Sequence, residues 1–173
     1  SDTIRRIRLM LVWRIAVKSP GCLPGDLSGT GAKISGGRWN WPGRPVVYCA
    51  DTQSLCCLET LVHIGTGGLP LNRRLIQIDI PDPVWRARKI HTVATLPTGW
   101  DANPADRRSK DFGTKWLKDL ESAVMAVPSV ISPADFAVLL NPLHPDATAI
   151  IAKDLGAWKY DPRLFKTTPG TPS

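Results

Sequence analysis

Pro45–Ile64 reads PVVYCADTQSLCCLETLVHI, and two different periods meet inside it. Its first six residues are a short run of β-forming apolar side chains behind a proline, the pattern of a buried strand over Pro45–Ala50. Asp51 or Thr52 then offers a side-chain oxygen suited to cap a helix, and the apolar spacing carries that helix over Thr52–Ile64 until Gly65, Gly67 and Gly68 end it.

Outward from this unit the pattern stays mixed. Met10–Val17 (MLVWRIAV) reads as a strand, and Arg74–Ile80 (RLIQIDI) sets Ile76, Ile78 and Ile80 on one face against Gln77 and Asp79, with Pro81 and Pro83 stopping it. Thr98–Lys110 is a polar loop. Thr114–Ala126 is predicted to be a helix on the spacing of Trp116, Leu120 and Val124, closed by Pro128. Two further strands are predicted, over Phe136–Leu140 and Ala147–Ala152. Ser19–Pro45, rich in Gly, Pro and Ser, reads as a structured loop rather than a helix or strand interior. Strands and helices follow one another without a βαβ rhythm, so the expected class is α+β rather than a doubly wound sheet.

The chain has 173 residues, 43% of them hydrophobic and 21% charged, enough for one domain with a single core and too few for a second of full size. That domain is expected over 10–166, with 1–9 and 167–173 as flexible ends. No apolar run approaches the ~20 residues a bilayer crossing needs. Cys22, Cys49, Cys56 and Cys57 show no paired CxxC spacing, so neither a zinc site nor a disulfide framework is suggested. The reading is a soluble cytoplasmic protein with reduced thiols, no metal and no membrane partner. A net charge of +7 favours a polyanionic partner without choosing among nucleic acid, nucleotide and acidic protein. The basic residues are scattered or paired, short of the stripe expected of a nucleic-acid binder. Neither G-x-G-x-x-G nor G-x-x-x-x-G-K-[ST] occurs, which removes the main support for Rossmann and P-loop chemistry.

Of the fifteen acids only Glu59 and Glu121 are Glu. Glu59 falls beside Leu55 and Val62 on the helix, next to its core-facing stripe, either as a boundary carboxylate paired with a Lys or Arg or as a functional group. His63, at i+4, is read as a partly exposed partner. Arg38 stands in GGRWN, where Gly36 and Gly37 let a ligand approach the backbone and a guanidinium can grip a phosphate or carboxylate; the alternative is an Arg stacked on Trp39 or Trp41. Tyr48 lies mid-strand, as a core tyrosine whose hydroxyl needs a partner. Ser129 has no G-x-S-x-G elbow, which speaks against a nucleophile, and His91 and His144 stand too far from each other and from the cysteines in sequence to suggest a metal site.

GGRWNWPGRPVVY, SLCCLETLVHIG, VPSVISPADFAVLLNPLHPD and a closing WKYDPRLF, in that order, resemble the RES-domain family, the toxin half of RES-Xre toxin-antitoxin pairs. The resemblance runs from about Trp13 to Phe165. It sets the family's Arg on Arg38, its Glu on Glu59, its Ser on Ser129 and its active-site Tyr on Tyr48. It implies a small split mixed sheet similar to that of ADP-ribosyltransferases, with NAD+ as substrate in the cleft. It also implies an Xre-type antitoxin that blocks that cleft, and no direct nucleic-acid binding by this chain. Under this reading Glu59 holds a ribose hydroxyl, Arg38 the pyrophosphate or a ribose-phosphate oxygen, Tyr48 stacks on the nicotinamide ring, Ser129 bonds either substrate or Glu59, and Trp39 is a further NAD+-binding residue. The expected chemistry is cleavage of the nicotinamide–ribose bond, with water or phosphate as acceptor. The alternatives are ADP-ribosyl transfer to a protein and, in a different class, a basic nucleic-acid-binding module without catalysis.

Overall fold

The computed structural model describes residues 9–21, 23–64 and 70–165. The glycine helix stop at 65–68, the expectations for the chain ends and Cys22 lie outside the described residues. Among these residues one seven-stranded sheet runs in the order β4-β5-β6-β2-β1-β3-β7. Its strands are β1 (Leu9–Val17), β2 (Val47–Ala50), β3 (Arg73–Pro81), β4 (Lys89–Ile90), β5 (Val124–Pro128), β6 (Phe136–Leu140) and β7 (Ile151–Ala157). β4 and β5 are parallel and all other pairs antiparallel, so the sheet is mixed and the α+β expectation is met. β1 and β3 pair along their whole length, but β1 meets β2 only at Trp13 opposite Ala50, so the sheet is nearly split in two there.

Among the described residues four helices decorate it: α1 (Thr30–Ser35), α2 (Gln53–Leu61), α3 (Asp82–Arg86) and α4 (Arg107–Asp119). Thr52 caps α2 by accepting a hydrogen bond from the Leu55 amide at 3.0 Å. One sheet face packs Val12, Ile76, Ile78, Ile80, Val138 and Leu140 into a single cluster. The opposite face carries two clusters. Trp39, Trp100, Trp116, Met125, Val127 and Leu139 lie under α4, whereas Ile15, Ala50, Leu55 and Cys56 lie under α2. The divide between these two clusters falls at β2, where the sheet is nearly split.

Four sequence expectations need correction. The helix placed over Thr114–Ala126 begins at Arg107, because Asp106, inside the supposed polar loop, accepts from the Arg108 amide at 2.9 Å and caps it. It ends at Leu120, in the left-handed region at φ 49°, and Val124 begins a strand buried at every position. VMAVP is a continuous apolar run, which periodicity cannot tell from a buried helix segment, so Val124 fell into the Trp116 spacing by coincidence. Ser19–Pro45 contains α1, cut short by Gly29 and Gly36 at φ 70° and 69°. The strand over Ala147–Ala152 is instead a 3₁₀ turn at Pro145–Ala149, capped by His144, followed by β7. As an exposed edge strand, β7 lacks the apolar alternation that marks a half-buried one. α3 and β4 had no counterpart in the sequence reading.

Gly113 sets the height of α4 above the loop that follows α1. A Cβ there would lie 2.0 Å from the Trp39 carbonyl oxygen. Only a glycine permits this contact. Burial pushes the Cys49 and Cys56 thiols up to about 12, and Cys57 is a free thiol at the edge of the same region. No described helix is long and apolar enough to cross a membrane.

Candidate active site

The loop between α1 and β2 is built around Asn40, which is fully buried. Its Nδ2 donates to the carbonyls of Ala32 (2.8 Å), Trp41 (3.2 Å) and Arg44 (2.9 Å). Its Oδ1 accepts from the Tyr48 hydroxyl at 2.8 Å, and that hydroxyl accepts from the Trp39 amide at 2.9 Å. One strand tyrosine and one buried amide thus hold the GGRWN turn closed. Gly37 lies flat on the phenol, since a Cβ would stand 2.6 Å from Tyr48 Oη. Burial raises the Tyr48 phenol pKa well above its usual range, outweighing the nearby Trp39 amide and Arg38 charge, so the hydroxyl stays neutral.

Tyr48→Phe strips a donor from Asn40 and an acceptor from Trp39. With buried polar groups costing ~1–3 kcal/mol when left unpaired, a stability loss of about 2 kcal/mol is expected. In a chain of this size that is a fall of roughly 4–8 °C in Tm. A thermal melt indistinguishable from the unsubstituted protein would remove the hydroxyl from the loop's support.

Arg38 is half-buried, and its Nη1 donates to the carbonyls of Trp100 (3.0 Å) and Ala102 (2.8 Å). Both bonds use the same nitrogen. Nε and Nη2 have no hydrogen-bond partner among the described residues, which leaves one edge of the guanidinium for an anion. Neither tryptophan takes Arg38 as its cation: Trp41 carries Lys110 at 4.8 Å, and Trp39, 3% exposed, stacks on Trp100 at 5.9 Å. Asp106 is nearby, its carboxyl held down to about 2 by Arg108 and, to a smaller degree, by Arg38.

Glu59 lies in the last turn of α2, half-buried, and its Oε1 accepts from the Ser129 hydroxyl at 2.6 Å. Ser129, 1% exposed, directly follows β5. Its oxygen also accepts from the amides of Ile131 (3.1 Å) and Ser132 (3.4 Å), so its proton and lone pairs are all engaged and it holds Glu59 rather than attacking anything. Among the described residues Glu59 joins no ion pair, and Oε2 has no hydrogen-bond partner. His63 is exposed and makes no hydrogen bond to it. The ion-paired boundary carboxylate weighed from the sequence is therefore not what the described residues form.

The structure thus joins the sequence-selected residues in two sets. Glu59 and Ser129 form one; Arg38, Trp39 and Tyr48 form the other. β2 connects them. Tyr48 stands opposite Leu139 under α4, and Ala50, two residues on, stands opposite Trp13 under α2, so both sets rise from one sheet face at the split. Asn40 and the carbonyls of Trp100 and Ala102 were missed by sequence reasoning. An Asn inside a Gly- and Pro-rich loop was the available signal for Asn40, because its amide mimics backbone in turns. The carbonyls carried none. No cluster of three or more His, Cys, Asp or Glu able to hold a metal occurs among the described residues.

Residues 11–162 match the RES domain. The chain is 49% identical over 154 residues to the Prs ADP-ribosylating toxin of a Sphingobium species, covering 89% of this chain and 96% of that protein. It is 39% identical over 140 residues to Toxin Res of Pseudomonas putida, covering 80% of this chain and 88% of that one. Toxin Res of Photorhabdus laumondii is 41% identical over 119 residues, 69% of this chain and 74% of that protein.

Proposed function

The chain belongs to the RES-domain family, and on that premise we propose that it is the toxin of a toxin-antitoxin pair, an enzyme that takes NAD+ as substrate and breaks its nicotinamide–ribose bond. The observation that carries this reading is Glu59: a half-buried carboxylate that, among the described residues, has no cation, with one oxygen pinned by Ser129 and the other unengaged, on the sheet face that also presents Arg38.

The bond between C1′ of ribose and the pyridinium nitrogen breaks with its electron pair going to nitrogen. Nicotinamide leaves neutral, so no general acid is needed, unlike in ordinary glycoside hydrolysis. Positive charge grows on the ribose as an oxocarbenium. Glu59 Oε2 accepts a ribose hydroxyl and offsets that charge, and because Ser129 already fixes the carboxylate, no reorganisation is required as charge develops. Arg38 grips the pyrophosphate with its unengaged edge. Tyr48 is tied by its hydroxyl to the loop and offers only its ring to nicotinamide, and Trp39, stacked on Trp100, backs the same loop. An acceptor then adds to C1′. With water, the oxygen binds carbon and its proton passes to solvent.

A second reading keeps this site and sends ADP-ribose to a protein side chain; the Sphingobium relative is named an ADP-ribosylating toxin. The partner is an Xre-type antitoxin that closes the cleft in the cytoplasm, and the net charge of +7 suits an acidic blocking segment.

Incubation of the purified chain with NAD+, with and without phosphate, is expected to release nicotinamide. Mass analysis then assigns the acceptor: free ADP-ribose means water, phosphorylated ADP-ribose means phosphate, and a mass gain on protein means transfer. No nicotinamide from folded, antitoxin-free protein with added phosphate or a bacterial lysate as acceptor source would overturn the reading.

A further inference from the structure

The last turn of α2 carries Glu59, and it is the part of that helix the sheet holds least. Leu55 and Cys56 in the first half are buried, whereas Leu58 and Val62 near its end are exposed. What reaches this turn comes from the far end of the chain. Trp158–Phe165, WKYDPRLF, follows β7, and the Trp158 amide donates to the Arg73 carbonyl at 2.8 Å. The Tyr160 ring packs edge-on between Trp158 and Phe165, with centroids at 6.2 and 5.9 Å. Asp161 accepts from the Arg163 amide and closes the 3₁₀ turn Pro162–Leu164 that brings Phe165 back onto Tyr160.

Tyr160 is 6% exposed, and its hydroxyl lies 2.7 Å from Thr60 Oγ1. Thr60 donates its single proton to the Cys57 carbonyl at 2.8 Å, so Tyr160 must be the donor between the two hydroxyls. Two side-chain hydroxyls from outside α2 therefore tether adjacent residues of one turn: Ser129 holds Glu59 from the sheet side, and Tyr160 holds Thr60 from the C-terminal segment. The Ser129 bond orients the carboxylate only if the turn beneath it keeps its place.

We propose that Tyr160 is a positioning residue of the site, fixing through Thr60 the turn of α2 that presents Glu59 and so making the C-terminal segment part of the catalytic apparatus. This rests on the NAD+-cleaving reading of Glu59. Displacing a reacting group by about 1 Å can cost up to ~10²-fold, and loss of one tether of two is placed at about a tenfold fall in kcat.

The test is steady-state NAD+ cleavage by the full chain and its variants. Tyr160→Phe keeps the packed ring and removes only the donor. It is expected to lower kcat about tenfold with KM within about twofold, the split that marks an effect on the chemical step rather than on binding. Thr60→Val should reproduce the loss, and Thr60→Ser, which keeps the acceptor, should restore most of the rate. In a Glu59→Gln background Tyr160→Phe should cause no further fall, because the carboxylate it positions is gone. Amide hydrogen exchange reads the tether without activity: residues 58–62 should exchange faster in Tyr160→Phe, with β5 and β6 unchanged. An unaltered kcat in both single variants, or an equal loss with and without Glu59, would overturn the proposal. If the unsubstituted chain releases no nicotinamide, the proposed function has failed and exchange decides alone: unchanged rates at 58–62 overturn the tether, and faster rates uphold it.

Discussion

Glu59→Gln is expected to slow nicotinamide release by on the order of 10²- to 10³-fold, the usual cost of one preorganised electrostatic contact to a developing charge. The amide keeps the shape of the carboxylate, and its oxygen still accepts from the Ser129 hydroxyl now 2.6 Å away. Only the negative charge proposed to face the ribose is lost. Because no cation pairs with Glu59 among the described residues, removing its charge strands no partner, and stability should change by no more than about 0.5 kcal/mol. The discriminating result is therefore a large rate loss with a superimposable thermal melt. Full activity in this variant would remove Glu59 from the chemistry, and a fall in Tm of ten degrees or so would mark it as structural.

Arg38→Ala is expected to act mainly on substrate affinity. Hydrogen bonds to charged groups contribute ~1.5–3 kcal/mol each, so losing the edge proposed to grip the pyrophosphate should raise KM for NAD+ on the order of 10²-fold. The same change frees the carbonyls of Trp100 and Ala102, which Nη1 now satisfies. That cost is about 1 kcal/mol, or roughly 2–4 °C in Tm. Arg38→Lys retains the charge without the planar fork and should fall between the two. A melting drop of ten degrees with KM unchanged would assign Arg38 to the loop's architecture alone.

Local sequence was a good guide wherever one short element settles its own shape. β1, β2, β3, β6 and α2 lie within a few residues of their expected places, since Ile76, Ile78 and Ile80 alternate cleanly and Thr52 caps without help from afar. It failed where the environment decides. VMAVP is a strand because β4 and β6 flank it, and helix, strand and buried core share that apolar composition. The strand expected over Ala147–Ala152 was placed too early because β7, an exposed edge strand, has no apolar alternation to fix its bounds.

The candidate site divides along the same line. Arg38, Tyr48, Glu59 and Ser129 could be named from the chain by type and motif, since a guanidinium, a phenol, a carboxylate and a hydroxyl each bring their chemistry with them. Their states could not. That Ser129 gives its proton to Glu59 across seventy positions of chain, that the Tyr48 hydroxyl closes a loop through Asn40, and that Arg38 leans on two backbone carbonyls from a distant loop are all long-range hydrogen bonds. The chain alone was enough for the class of fold, the family and a set of candidate site residues, because propensity, spacing and side-chain type are properties of short stretches. Only the tertiary structure decided which oxygen of Glu59 is engaged, which edge of Arg38 is open and what steadies α2, because a hydrogen bond between distant residues exists only once packing has brought donor and acceptor within about 3 Å.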